Sequence, residues 1–308
     1  VEDNGSIGNS PSATAFYALQ VAPGDAAALA YLRRNVNPDG GVPNVAPFDV
    51  FEIGWTLSNL HICGLATDAM QHLTQPHVEF LARSWDVNVG AAFASNYAAH
   101  DSDGTSLVYQ VLRRYGQHAD LATVLGYEEA EYFRCFALEV NPSVSANIHV
   151  LGALRLGGVP ADDPAVQKIV RLLHDMAFWF DKWHISPYYT TSHAILAAAG
   201  YVDHILHDAI DWMLDTQNAD GSWGFQQSAT AEETAYCLQA LAAWKHNGHH
   251  VPDEVLQRGA DWLARHTEPP YPSLWIGKCL YTPVNVVRSA IYSALVMVQA
   301  ALAVPDTV

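Results

Sequence analysis

Apolar residues recur at helical spacing along almost the whole chain, and the alternating pattern of a strand is absent. Turn signals such as Asn37-Pro-Asp-Gly-Gly and Asn218-Ala-Asp-Gly separate the apolar segments. Because paired helices with one apolar face each must bury it against neighbours, the pattern predicts an all-α fold, a closed double ring or (α/α)6 barrel. No linker or break in composition divides the chain, so we expect one domain over residues 1–308. The predicted helices are 14–19, 26–36, 48–65, 77–85, 105–115, 143–156, 165–180, 190–199, 202–216, 231–246, 253–266 and 283–303.

The overall charge is strongly acidic, with 32 acidic residues against 15 basic ones and a formal net charge of −17. Such a charge argues against nucleic acid and anionic membrane surfaces as partners. No uninterrupted apolar run reaches the roughly 18 residues of a membrane span, so stable membrane insertion is not expected. The sequence does not begin with a signal peptide and its cysteines show no C-x-x-C spacing, which predicts reduced core cysteines in a cytoplasmic protein. These cysteines are Cys63, Cys135, Cys237 and Cys279.

Two carboxyls lie close together in the segment Asp101-Ser102-Asp103-Gly104-Thr105, directly before the predicted helix 105–115. This position places them near a helix N-cap, where side chains accept backbone N–H bonds and the helix dipole favours negative charge. Two neighbouring carboxyls in a dry site cannot both ionise cheaply, so one stays protonated and becomes a proton donor. An ordinary capped turn has the same spacing, and the motif alone leaves both interpretations open.

A helix-to-turn repeat supports the predicted barrel. The best copy begins at Trp212 and runs through Gln217, Asp220-Gly221 and Trp223, with weaker copies over residues 31–41 and 262–275. We expect a structural role, in which the Gln side chain bonds to backbone and the Trp stacks between outer helices.

Several segments together resemble the class II terpene cyclases, which include squalene-hopene cyclases and copalyl diphosphate synthases. They follow the family order through nearly the whole chain. The segments 40–52 and 275–281 are most similar to copalyl diphosphate synthases, and the Gln-to-Trp repeat is most similar to the squalene-hopene group. The segments that carry the resemblance are 10–16, 40–52, 101–105, 133–136, 181–183, 217–223 and 274–281.

The resemblance implies roles for particular residues. The family motif is D-x-D-D-T, and its middle Asp, which protonates a terminal alkene, corresponds to Asp103. The last Asp of the motif is replaced by Gly104, so the positioning of the acid would fall to Asp101 and another donor. The resemblance gives His149 as that donor, which would orient the proton and raise its acidity; a core histidine is the alternative. Asn44 matches an Asn that holds the terminating water in some copalyl diphosphate synthases.

Protonation of an alkene produces a tertiary carbocation, so the site must exclude water and supply negative potential without a nucleophile. Aromatic faces do both, and the chain has 9 Trp, 14 Tyr and 10 Phe. The resemblance of the loop before the last helix gives most weight to Trp275 and Tyr271, with core packing as the alternative for every aromatic. The full set of candidates for lining the site is Trp55, Phe93, Tyr97, Trp183, Tyr271, Trp275 and Tyr281.

The family segment that carries acidic residues for Mg²⁺ and diphosphate would precede residue 1. From this we expect a single barrel that needs no metal or other cofactor and resembles merosterolic acid synthase. Its expected substrate is a hydrophobic isoprenoid, a farnesyl- or geranylgeranyl-length chain on an aromatic acid, and its product a polycyclic meroterpenoid. Lys182, Lys278 and Arg288 are candidates for holding the anionic head. A copalyl-type cyclase acting on geranylgeranyl diphosphate is the alternative.

Four other functions explain less of the sequence. A class I terpene synthase needs a D-D-x-x-D motif, and the Asp pair at 162–163 lacks the final acid. A prenyltransferase β-subunit needs a zinc site, and no cysteine lies in a persuasive ligand pattern. An α/α-barrel glycoside hydrolase could pair Asp103 with Glu52 or Glu233. A non-catalytic binding barrel is suggested by Gly104.

Overall fold

The computed structural model describes residues 1–174, 176–226 and 228–303. Over these residues the chain forms thirteen α-helices and two short antiparallel strands. A π-helical segment (Tyr17–Val21) continues the first helix, and 3₁₀ turns occupy Asp68–Met70 and Asp203–Ile205. The helices are α1 (Pro11–Phe16), α2 (Ala26–Arg34), α3 (Asp49–Ile62), α4 (Gln71–Arg83), α5 (Ser102–Arg114), α6 (Leu121–Leu125), α7 (Val144–Leu156), α8 (Pro164–Leu173), α9 (Pro187–Ala198), α10 (His207–Asp215), α11 (Ala231–His246), α12 (Asp253–Leu263) and α13 (Val284–Leu302), and the strands are β1 (Trp275–Ile276) and β2 (Leu280–Tyr281).

Six helices contact one another in a closed cycle. In this cycle α3 packs against α5, α5 against α7, α7 against α9, α9 against α11, α11 against α13, and α13 against α3. Some of the helices between them in sequence pack against members of the cycle. Helix α4 packs against α3 and α5, α6 against α5 and α7, and α12 against α11 and α13. The apolar faces that the sequence predicts are therefore buried helix against helix.

Burial separates the helices of the cycle from those packed against it. In α9, 10 of the 12 residues are buried, and in α11, 13 of the 16 are buried. In α12 the buried residues are Leu256, Gly259, Trp262 and Leu263, which share one face at helical spacing. Helices α9 and α11 are thus surrounded by protein, whereas α12 has one face in contact with solvent.

Side-chain caps fix where three of the cycle helices begin. Ser143, Ser186 and Thr230 each accept a backbone N–H from the first turn of α7, α9 and α11. Such a cap satisfies a donor that would otherwise lack a partner and stabilises a helix by roughly 0.5–2 kcal/mol. The polar residues between the apolar segments therefore determine the helix starts.

The Gln-to-Trp repeat has a structural role in the folded chain. The Gln217 side chain donates to the backbone oxygens of Gly221 and Val255, each at 2.9 Å. Trp223 is fully buried and its indole N–H donates to the oxygen of Met213 at 2.8 Å. The repeat joins the end of α10 to the start of α12.

The largest departures from the predicted elements concern two helix ends and two short elements that the sequence did not predict. Helix α4 begins at Gln71 and includes Pro76, whereas the prediction started after that proline. Helix α8 ends at Leu173, short of the predicted 180, and residue 175 in that span lies outside the described residues. The short helix α6 was not predicted, because a single turn shows too little periodicity. The strands β1 and β2 have two residues each, too few for an alternating pattern.

Helix α13 has the length and composition of a membrane span, with a mean hydropathy of 1.3 over its best window. The same composition suits a core helix of a globular protein. Because α13 packs against α3, α11 and α12, we interpret it as a core helix.

Candidate active site

A cavity of about 590 Å³ lies beside the N-terminal end of α5. Its volume falls in the range of roughly 300–1,000 Å³ that is typical of small-molecule sites. Residues of α3, α5, α9 and the β1–β2 hairpin contribute to its wall, which is mostly aromatic or apolar. Its aromatic lining residues are Phe48, Phe51, Phe93, Tyr97, Phe136, Trp183, Tyr189, Trp275 and Tyr281.

The two carboxyls of the Asp-rich segment lie at the start of α5 and both line this cavity. Asp101 is the N-cap and accepts the N–H of Gly104 at 2.6 Å, while Asp103 lies in the first turn. Gly104 also lines the cavity, and a Cβ there would lie 3.3 Å from Asp101 Oδ1. The helix start therefore holds the pair of acids that the sequence predicts.

Burial makes this pair hold a proton. Asp101 is only 4% exposed, and desolvation followed by the charge of Asp103 raises the pKa of Asp101 from 3.8 to about 8. The hydrogen bond from the Gly104 N–H opposes this rise without overcoming it. Asp101 therefore keeps its proton at neutral pH, next to the carboxyl of Asp103.

Two histidines form a chain behind Asp103. His149 Nδ1, from α7, hydrogen bonds to Asp103 Oδ1. On the other side of the ring, His149 Nε2 lies 2.8 Å from Nδ1 of His193, which belongs to α9. Both histidines are buried, at 6% and 7% exposure, and desolvation followed by the charge of His149 holds the pKa of His193 well below its ordinary value of 6.5. His193 is therefore a neutral ring with one N–H donor.

Aromatic rings fix the two imidazoles. The ring centroid of Trp55 lies 4.9 Å from that of His149 and 4.8 Å from that of His193. The Tyr189 ring lies 4.3 Å from His193 on the same helix. These contacts leave the His149 ring little freedom to turn away from Asp103.

The aromatic wall continues away from the acids. The ring of Trp275 lies 4.8 Å from that of Tyr189 and 5.1 Å from that of Phe51. Phe48 stacks on Phe51 at 4.4 Å and meets the edge of Tyr281 at 5.7 Å. A substrate in the cavity would face a nearly continuous aromatic surface.

The structure brings most of the predicted site residues to the cavity. Asn44 is among them, and its Nδ2 is buried without a hydrogen-bond partner among the described residues. Lys278 also lines the cavity and donates to Ser10 Oγ. The predicted residues on the cavity wall are Asn44, Phe93, Tyr97, Asp101, Asp103, Trp183, Trp275, Lys278 and Tyr281.

Five predicted site residues do not line the cavity. His149 and Trp55 lie behind its wall, where they contact Asp103 and the imidazoles. The Tyr271 hydroxyl donates to the backbone oxygen of Thr267. The prediction that Tyr271 lines the cavity is therefore wrong. Lys182 and Arg288 also lie off the cavity. Lys182 pairs with Glu139, and Arg288 pairs with Glu268 at 3.6 Å.

The sequence reasoning missed several residues of the site. Phe48 and Phe51 sit three positions apart at the start of α3, and Tyr189 and His193 sit four apart on α9, so each pair shares a helix face. That spacing was visible in the sequence, but it also fits core packing. Glu52, which the sequence suggested only as a partner of Asp103 in a glycoside hydrolase, also lines the cavity, and burial is the largest cause of the rise in its pKa.

Metal ligands do not cluster in the described ranges. Within residues 1–174, 176–226 and 228–303, no group of three or more His, Cys, Asp and Glu side chains is placed to hold a metal ion.

Known proteins share both the sequence and the fold. The family described as "Squalene-hopene cyclase C-terminal domain" matches residues 135–276. The chain is 43% identical over 307 residues to a type B diterpene cyclase of Mycobacterium tuberculosis, a match that covers 96% of this chain and 61% of the relative. The chain thus spans about three-fifths of the length of that curated relative.

Solved structures of terpene cyclases have a similar fold. An ent-copalyl diphosphate synthase from Streptomyces platensis superposes with a TM-score of 0.85 at 34% identity, covering 96% of this chain and 59% of that one. The type II terpene cyclase MstE from Scytonema, in complex with geranylgeranyl dihydroxybenzoate as substrate, gives a TM-score of 0.63 at 15% identity. That match covers 82% of this chain and 88% of MstE, and it establishes likeness of fold alone.

Proposed function

The chain belongs to the class II terpene cyclase family, and we propose that it cyclises a linear isoprenoid by protonating an alkene from Asp103. The observation that carries this proposal is the position of Asp103, which has His149 behind it and an aromatic cavity in front. The whole protein's substrate and product are part of the proposal.

The proton is available at neutral pH because the acids are paired. With its pKa raised to about 8, Asp101 keeps a proton at pH 7, and we propose that this proton reaches the substrate through Asp103. An acid that is protonated at the working pH has a proton available for a weak base such as an alkene.

The histidine chain directs that proton. A neutral His193 whose Nδ1–H donates to His149 Nε2 leaves the proton of His149 on Nδ1, where it donates to Asp103 Oδ1. The transferable proton is then carried by the other oxygen, Oδ2. After transfer, the new carboxylate of Asp103 still accepts the His149 N–H, which stabilises the charge that develops.

The reaction needs no other reactant. The proton of Asp103 bonds to one carbon of the terminal alkene, and the other carbon becomes a tertiary cation. Further alkenes of the chain attack in turn, forming C–C bonds, and loss of a proton from the last cation gives a product isomeric with the substrate. The faces of Trp275, Tyr189 and Phe51 stabilise the cations without bonding to them. Asn44, whose Nδ2 has no partner in the described part of the chain, would hold the water that takes the last proton.

For the substrate we propose a prenyl chain on an aromatic acid. The tail would fill the aromatic cavity, where burial contributes about 25 cal/mol per Å². Of the three predicted cations, only Lys278 lines the cavity, and no carboxylate pairs with it within the described ranges, so it is free to meet an anionic head. The second candidate, geranylgeranyl diphosphate, is favoured by the names of the relatives at 43% and 34% identity, a diterpene cyclase and a copalyl diphosphate synthase.

The closed cycle of six helices supports a finer proposal about architecture. We propose that α3, α5, α7, α9, α11 and α13 are the inner ring of an (α/α)6 barrel. Residues 1–308 would then form one domain.

Two measurements test the proposed function. Asp103→Asn keeps the shape and hydrogen bonding of the side chain but has no transferable proton, so we expect cyclisation to fall by about 10⁴-fold or more while circular dichroism stays unchanged. Substantial turnover by the folded variant would contradict the role of Asp103 as the general acid. The wild-type protein is then offered geranylgeranyl diphosphate and a geranylgeranylated hydroxybenzoate side by side. We expect the hydroxybenzoate to be cyclised, and cyclisation of the diphosphate alone would establish the copalyl-type alternative.

A further inference from the structure

A buried carboxylate lies behind the aromatic wall of the cavity. Glu232 is 0% exposed and belongs to the first turn of α11. Its Oε1 accepts the indole N–H of Trp275 at 2.6 Å, and it lies 3.2 Å from the hydroxyl of Tyr236 and 3.4 Å from His184 Nε2. A glutamate with no exposure is rare in proteins unless partners compensate its charge.

The partners of Glu232 fit an ionised carboxylate. An indole N–H is a donor only, so Oε1 must be the acceptor. His184 Nδ1 lies 3.1 Å from the Ser186 N–H and accepts it, which leaves the ring proton on Nε2, facing Glu232. The N-terminal end of α11 adds the positive end of its dipole. The other oxygen, Oε2, has no hydrogen-bond partner among the described residues, so part of the negative charge remains uncompensated.

Trp275 stands between this charge and the cavity. Its ring lines the cavity and is held edge-on by His184 and Phe51, both at 5.1 Å. Glu232 does not line the cavity. The carboxylate therefore cannot reach a substrate to act as a base or a nucleophile, but its charge lies at the N–H edge of a ring that lines the cavity.

Building on the proposed function, we propose that Glu232 is a positioning residue that strengthens the affinity of the Trp275 ring for cations. Its carboxylate holds the indole by the N–H and draws that proton toward itself, which raises the electron density of the ring face in the cavity. The attraction between a cation and a π face grows with that density, and it is large where water is excluded. The cavity thus gains negative potential without exposing a group that could quench the cation.

The charge of Glu232 also affects Tyr281, a second residue on the cavity wall. Burial is the largest cause of the rise in the pKa of Tyr281, which lines the cavity, and the charge of Glu232 is the next largest. The field of the buried carboxylate therefore extends to the cavity wall.

Equilibrium binding of a cation mimic tests this proposal. The probes are a tertiary amine analogue of a geranylgeranyl chain, which binds as the ammonium ion, and its uncharged carbon isostere. The measured quantity is the ratio of their dissociation constants, which removes effects that are common to both ligands. Because binding is read without turnover, failure of the cyclase function itself is detected separately, by the Asp103→Asn comparison.

Glu233→Gln is the matched control, because Glu233 is the adjacent residue on α11, is equally buried and instead accepts the Phe225 N–H at 3.0 Å. We expect Glu232→Gln to lower the preference for the ammonium probe by about tenfold and Glu233→Gln to leave it within about twofold. In a Trp275→Phe background, which lacks the indole N–H, Glu232→Gln should change the ratio by less than about twofold.

Three results would overturn the proposal. Equal ratios for Glu232→Gln and Glu233→Gln would show that the charge behind Trp275 has no effect. Additive effects of Glu232→Gln and Trp275→Phe would show that the charge does not act through the indole. If Glu232→Gln fails to fold, Trp275→Phe alone decides, since an unchanged ratio in that variant contradicts any role for the indole contact.

Discussion

Asp101→Asn is expected to stabilise the protein at neutral pH while it reduces activity. The native carboxyl is 4% exposed, and burial together with the charge of Asp103 raises its pKa to about 8. The amide keeps the oxygen that accepts the Gly104 N–H, so the helix cap survives. What is lost is a group that must hold a proton in order to stay buried.

The magnitude follows from the raised pKa. The stability that the protonated carboxyl contributes is fully present below its ordinary pKa of 3.8 and is lost as the pH rises through about 8. At pH 7 the unfolded chain releases this proton, because the ordinary pKa lies about three units below the solution pH, whereas the folded protein keeps it. At roughly 1.4 kcal/mol per unit, keeping the proton lowers the free energy of unfolding by about 4 kcal/mol. Since an amide does not pay this cost, we expect Asp101→Asn to raise the free energy of unfolding by about 2–4 kcal/mol at pH 7 and by little at pH 4.

Urea denaturation at pH 4, 5.5 and 7 measures this difference. Asp163→Asn is the control, because Asp163 caps α8 in the same way, accepting the Ala165 N–H at 2.9 Å, but is partly exposed. We expect the pH dependence of stability to flatten only in Asp101→Asn. Equal stability of this variant and the wild type at pH 7, with parallel pH dependence, would refute the account of the buried pair.

The loss of activity has the same origin. Asp101→Asn removes the carboxyl that holds a proton up to about pH 8, so turnover at pH 7 should fall. In the wild type we expect turnover to fall as the pH rises through about 8.

Three further predictions follow from the site. His193→Phe keeps the ring contacts with its neighbours but removes the hydrogen bond to His149, so we expect kcat to fall by roughly 10- to 100-fold with KM nearly unchanged. His193→Gln should recover activity. An unchanged kcat in the Phe variant would contradict the role of the two histidines behind Asp103. Lys278→Ala should raise KM for an acidic substrate by about tenfold, whereas Lys182→Ala, which removes a lysine that pairs with Glu139 off the cavity, should not. Equal effects of the two variants would contradict a role for Lys278 in holding the anionic head. Because a carboxylic acid supplies the proton, cyclisation of the prenylated acid should survive exhaustive chelation with EDTA, and loss of activity that Mg²⁺ restores would favour a diphosphate head.

The sequence determined the parts of the site that depend on local order. Because the cap at Asp101 and the first turn that holds Asp103 are set by neighbours in the chain, the motif alone predicted two acids at a helix start. Helical periodicity likewise predicted the helices of the cycle, since an apolar face repeats every three to four residues whatever it packs against. The family likeness added His149, which no local pattern distinguishes from a core histidine.

The tertiary structure decided which distant side chains meet. His193 lies 44 positions from His149, and Glu232 lies 43 positions from Trp275, so neither pair leaves a local pattern. Their contacts exist because α7 packs against α9 and α9 against α11, and because the β1–β2 hairpin reaches the segment before α9 and the start of α11. Tertiary packing also excludes water from Asp101, and this desolvation is the main cause of the carboxyl's proton affinity.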